Sequence, residues 1–151
     1  MRKMICLLVM LAFATPLFAS DPFVGTWKLD PAKTKYTTGT APKELTAVIE
    51  LQGSDLQVTA TGTNGDGSPV SVKYTIPVAG GAGKVQAGDF DAITSKVISN
   101  NVRLNTYTKN GKELRTRRMV LSPDGKTMKT TVQGTSAANQ QVQGVDVFYK
   151  Q

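Results

Sequence analysis

Beyond residue 20, apolar and polar residues alternate rather than recurring at helical spacing. Leu45, Ala47, Ile49 and Leu51 interleave with Thr46, Val48 and Glu50. Leu56, Val58 and Ala60 interleave with Gln57, Thr59 and Thr61, and Val70, Val72, Tyr74, Ile76 and Val78 with Ser71, Lys73 and Thr75. A period of two marks strands buried on one face. Turn residues punctuate these runs: Gly53-Ser54-Asp55, Asn64-Gly65-Asp66-Gly67, Asn110-Gly111 and Ser122-Pro123-Asp124-Gly125. Asn and Gly accept the positive φ angles that tight hairpins need. With further strands at Gly25 to Leu29, Ala92 to Ser99, Val102 to Lys109, Glu113 to Leu121, Thr127 to Gln133 and Val145 to Lys150, the chain predicts about nine strands. Short, evenly spaced strands joined by hairpins predict an all-β fold, an antiparallel up-and-down β-barrel of about eight to ten strands in which closure removes exposed edges. Ala79 to Asp89, rich in glycine, reads as a mobile loop. Asp30 to Pro42 and Thr135 to Gln141 read as irregular connections.

The first twenty residues follow a different rule. Arg2 and Lys3 precede an apolar run from about Met4 to Ala14, then Pro16, then the small residues Ala19 and Ser20 before the polar Asp21. That order predicts a secretory signal peptide over residues 1–20, cleaved near Ala19 or Ser20, and a barrel domain over residues 21–151. The apolar run is about half the ~20 residues a spanning helix needs, so no membrane span is expected once the signal is removed. The predicted location is secreted or periplasmic.

Removing the signal takes Arg2 and Lys3, so the net charge drops from +7 to +5, and it takes Cys6, the one cysteine. The remaining chain has neither cysteine nor histidine. Cys/His zinc sites, Ser-His-Asp triads and Cys-His pairs are thereby excluded, and no acid, base and nucleophile set can be named. The expectation is a protein that is not an enzyme, with no metal and no cofactor. The basic charge is scattered among few aromatics, which argues for a solvated surface rather than nucleic-acid binding. Gly80 to Gly88 lacks the spacing of a phosphate loop.

One motif stands out near the predicted mature N-terminus. Phe23-Val24-Gly25-Thr26-Trp27-Lys28-Leu29 contains the single tryptophan, placed where it would plug one end of a barrel. Gly25 and Trp27 resemble the G-x-W of lipocalins. The wider run GTWKLDPAKTKY, with RRMVLSPDGKTM and VFYKQ further on, is similar to small exported bacterial lipocalin-like proteins of the calycin type. The resemblance implies a barrel base closed by Trp27, with an arginine from a late strand packed over the ring. Arg117 and Arg118 are the candidates, and parity alone does not choose between them; Arg117 is assigned the structural role with Gly25 and Trp27. If Arg118 instead faces inward with Leu114 and Val120, it would meet a ligand carboxylate. The long first loop and flanking helix of a typical lipocalin are not evident.

The functional expectation is a small hydrophobic or amphipathic ligand held in the barrel, against Ile49, Val58, Val72, Tyr74, Ile76 and Arg118. The alternative is a non-catalytic envelope or interaction protein whose barrel is filled by its own side chains. An interior cavity of roughly 300 Å³ or more separates the two.

Overall fold

The computed structural model describes residues 20–136 and 138–151. The signal peptide read over residues 1–20 lies, except for Ser20, outside the described residues. Twelve strands form one antiparallel sheet: β1 Gly25–Leu29, β2 Lys35–Thr38, β3 Glu44–Gln52, β4 Asp55–Thr63, β5 Pro69–Pro77, β6 Gly81–Ala82, β7 Lys84–Ala87, β8 Ala92–Ser99, β9 Val102–Lys109, β10 Lys112–Leu121, β11 Thr127–Thr135 and β12 Gln141–Lys150. Their order is β6-β8-β9-β10-β11-β12-β1-β3-β4-β5-β7, with β2 on β12. The result is a nearly closed all-β barrel, and no described element is a helix.

Two stretches read from sequence as loops are instead part of the barrel wall. β1 pairs with Phe148 to Lys150 of β12, and β2 pairs with Gln143 to Val145 further along it. The five residues between them are anchored to β12, where the Asp30 amide donates to the Val147 carbonyl and the Val147 amide to Thr34 Oγ1. Likewise, within Ala79 to Asp89, β6 pairs with β8 and β7 with β5, so one short diagonal segment spans the gap between the sheet's two ends. Its midpoint is Gly83, where a Cβ would lie 2.3 Å from the Thr75 carbonyl oxygen and 2.8 Å from Ile76 and Ile93. Glycine is the residue that lets two strands pass that closely. Backbone pairing, which composition does not register, thus overrides the glycine-rich appearance of this segment.

Gly144 on β12 serves packing in the same manner. It pairs with Tyr36, and a Cβ there would meet the Tyr36 ring at 2.3 Å and the Lys35 carbonyl oxygen at 2.8 Å. Gly144→Ala is therefore expected to lower unfolding stability by about 1–3 kcal/mol by overpacking, because ring and backbone must both move. A urea midpoint indistinguishable from the parent protein would show that β2 yields freely.

The barrel has two unlike ends. Phe23, Trp27, Leu29, Leu56, Ile76, Leu121, Met128 and Phe148 are buried in the core, and those near the N-terminal segment form a packed base. At the other end, the connections following β2, β4, β7, β9 and β11 surround a mouth.

Candidate functional site

The base is built on the G-x-W motif, but its cation is not the expected arginine. Trp27 is fully buried, and its indole Nε1 donates to the Phe23 carbonyl at 2.9 Å. Lys150, its partner across the β1–β12 pair, places Nζ 5.2 Å from the ring centroid. Gly25 has φ +142°, and a Cβ there would sit 2.5 Å from Lys150 Cε. The glycine therefore opens the path by which the lysine crosses the ring.

Arg117 does not cover Trp27; it points into the barrel toward Asp146. Arg118 is exposed and does not line the interior, which corrects its assignment to a ligand. The reason is a β-bulge between Glu113 and Arg115 on β10. Leu114 packs against the core, and counting in twos from it puts Arg118 inside. The extra residue shifts the phase, so that Arg115, Arg117 and Met119 line the interior.

An arginine that the sequence reading missed fastens the base. Arg103 on β9 is 2% exposed. Its guanidinium donates to the carbonyls of Pro77 (3.3 Å) and Val78 (2.9 Å), to Ser95 Oγ (3.0 Å) and to Asp21 Oδ2 (3.5 Å). It also lies 5.7 Å from the Phe23 ring centroid. These contacts tie the segment before β1 to the turn after β5 and to β8. The signal was faint: Arg103 occupies an inward parity position between Val102 and Leu104.

Above the base lies a cavity of about 540 Å³. Ile49, Val58, Val72, Tyr74 and Ile76 all line it. Its wall is two-sided. β3 to β5 contribute Leu45, Ala47, Ile49, Val58, Val70 and Val72, with Tyr74 as their polar group, whereas β2, β9, β10 and β11 contribute Tyr36, Tyr107, Arg115, Arg117 and Thr130 beside the apolar Met119, Met128 and Val132. Trp27 is not among the lining residues.

The polar side is tightly organised around aromatic rings. Tyr74 and Tyr107 share a hydroxyl–hydroxyl hydrogen bond of 3.0 Å, and each meets Phe90 edge-on, at 5.9 Å and 4.8 Å between centroids. Burial, followed by the neighbouring Tyr107, raises the Tyr74 phenol well above its ordinary range. Arg115 lies 5.4 Å from the Tyr107 ring and bonds Asp89 through both terminal nitrogens, one at 2.7 Å. Arg117 gives Asp146 a single longer bond of 3.3 Å.

These two pairs respond to pH in opposite senses. Burial alone would raise the Asp89 carboxyl, but the hydrogen bonds and charge of Arg115 outweigh it and hold the group below its ordinary value. The folded state then binds this proton more weakly than the unfolded chain, so the pair stabilises the fold above the usual carboxylate range and the benefit is lost as pH falls below about 4. Asp89→Asn is expected to flatten the acid limb of stability against pH between about 5 and 3, read by thermal melts. An unchanged limb would show that Asp89 does not carry it. Asp146 is raised, because its burial exceeds the compensation from Arg117 and Tyr36. Its contribution therefore favours the folded state at low pH and is lost as pH rises.

No protein-family model matches the chain, and no curated protein sequence matches it. Among solved structures it is similar to EF1p2_mFAP2b bound to DFHBI, at 15% identity and a TM-score of 0.46 over 86% of this chain and 94% of that one. It is also similar to a redesigned beta barrel, mFAP1, bound to DFHBI, at 14% identity and a TM-score of 0.43 over 83% of this chain and 94% of that one. At that distance, the ligand held by those barrels says nothing of whether this barrel binds one.

Proposed function

We propose that this chain is an exported, lipocalin-like binding protein of the periplasm or the extracellular space, without catalytic activity, that holds one small amphipathic molecule inside its barrel. The observation that carries the reading is the interior cavity of about 540 Å³, whose apolar wall on β3 to β5 faces one that carries tyrosines and arginines. A volume in the range of small-molecule sites argues against a barrel filled by its own side chains. Rings and aliphatic groups suit the β3–β5 side, and hydrogen-bonding groups suit the tyrosine and arginine side. The signal-like residues 1–20 support export, and the Gly25-x-Trp27 motif supports the lipocalin-like assignment.

Native mass spectrometry of the mature protein, purified from its own host, tests this directly. The expected spectrum shows a reproducible added mass at one molecule per chain, released on denaturation and extractable into organic solvent. An empty protein that also takes up no member of a panel of fatty acids, alcohols and aromatic amphipaths would sink the proposal. Because Trp27 lies outside the lining, tryptophan fluorescence is a poor reporter, and tyrosine-sensitive near-ultraviolet dichroism is the better optical companion.

A further inference from the structure

The three interior arginines differ in how fully their donors are used. Arg103 is held by two carbonyls, Ser95 and Asp21. Arg115 engages both oxygens of Asp89 as well as the Thr135 carbonyl, and it stacks over Phe90 and Tyr107. Arg117 makes one hydrogen bond among the described residues, the 3.3 Å contact from Nη1 to Asp146 Oδ2. Its side chain nevertheless keeps 23% of its surface accessible and lines the cavity. A guanidinium carries five N–H donors in a planar fork, so most of this one faces the cavity without a partner.

Asp146 is the other half of the arrangement. Its side chain is fully inaccessible, and while Oδ2 meets Arg117, Oδ1 has no hydrogen-bond partner. The groups facing it are Arg117 from β10 and Tyr36 from β2. Those facing Arg117 are Asp146, Tyr107, Tyr36 and Tyr74, and Arg115 stands near Tyr36. The carboxylates Asp21, Asp89 and Asp146 pair one-to-one with Arg103, Arg115 and Arg117, so these interior charges balance. An anion entering the interior needs one compensating positive charge.

We propose, building on the binding role above, that Arg117 receives the carboxylate head of an amphipathic ligand through its unused donors, and that Asp146 takes a proton from solvent onto Oδ1 as the ligand seats. The Arg117 fork matches a carboxylate's two oxygens. Protonating Asp146 frees Arg117's charge for the ligand and gives the orphaned Oδ1 a hydrogen in place of a buried, half-compensated negative charge. One proton balances one negative charge, so a monoanionic head fits and a dianionic phosphate does not. The apolar wall of β3 to β5 faces the tail. The upward displacement of the Asp146 carboxyl already present without ligand runs in the same direction.

The test compares dodecanoate with dodecanol by isothermal titration calorimetry, in buffers of different ionisation enthalpy, from about pH 6 to 8. Dodecanoate is expected to bind the parent protein at least about tenfold more tightly than dodecanol, with its affinity falling as pH rises and with net proton uptake. Asp146→Asn should keep dodecanoate binding while abolishing both the pH slope and the proton uptake. Arg117→Gln with Asp146→Asn, which leaves no buried charge unpaired, should lose the preference for the acid and keep dodecanol affinity. Equal binding of acid and alcohol by the parent, or a pH slope that survives Asp146→Asn, overturns the inference while leaving a cavity that binds amphipaths. Binding of neither probe also overturns this inference, whereas the binding role itself falls only if the native mass spectrum is empty and the wider panel fails as well.

Discussion

Trp27→Ala is expected to destabilise the barrel by about 3–5 kcal/mol, the range for removing a fully buried aromatic from a packed core. The ring is completely inaccessible and its indole N–H is satisfied by the Phe23 carbonyl. Truncation therefore opens a cavity at the base and leaves a carbonyl without its donor. Lys150→Ala supplies the contrast. Its ammonium lies 5.2 Å from the ring centroid but the residue is exposed, so the loss is expected to stay within about 1 kcal/mol. Urea unfolding of both variants checks the pair. Similar midpoints would mean that the cation over the ring, rather than the ring's own burial, holds the base together.

Arg103→Met is expected to be the second large loss, at about 3 kcal/mol, because taking away one member of a buried charged network strands the others. Methionine keeps the aliphatic stem, so the difference isolates the guanidinium. The Val78 carbonyl, Ser95 Oγ and Asp21 Oδ2 would lose their donor, the Pro77 carbonyl would keep only the Gly80 amide, and Phe23 would be deprived of its covering cation. Asp21→Asn should be milder, since its contact to Arg103 is the longest of the set at 3.5 Å and its Oδ1 bond to the Phe23 amide at 2.9 Å survives in an amide. Hydrogen exchange adds a local readout: in Arg103→Met, the amides of Phe23 and Val24 should lose protection first. A variant with parent-like stability and protection would show that the segment before β1 docks through Phe23 alone.

How the site could be read in advance depended on where each residue stands. Ile49, Val58, Val72, Tyr74 and Ile76 lie on β3 to β5, strands paired in unbroken register with one another and joined by short turns, where the alternating apolar positions give the inward face. The arginines of β10 lie beyond a bulge, and one extra residue reversed the answer for Arg117 and Arg118. Arg103 was overlooked because a charged residue at an inward position looks like a break in the pattern, until carbonyls from a turn distant in sequence are known to converge on it.

Alternation of period two, glycine-bearing turns and a lone Gly-x-Trp determined an all-β barrel and one buried face, because these are local properties of a pleated backbone. Tertiary structure alone decided that residues 35–38 and 81–87 belong to the wall, since a strand's pairing partner lies outside its own window of sequence. It also decided the interior charge pairs. Asp89 meets Arg115, Asp146 meets Arg117 and Asp21 meets Arg103 only once the sheet has curled, and the energy of a buried charge depends on what surrounds it in space rather than on its neighbours along the chain.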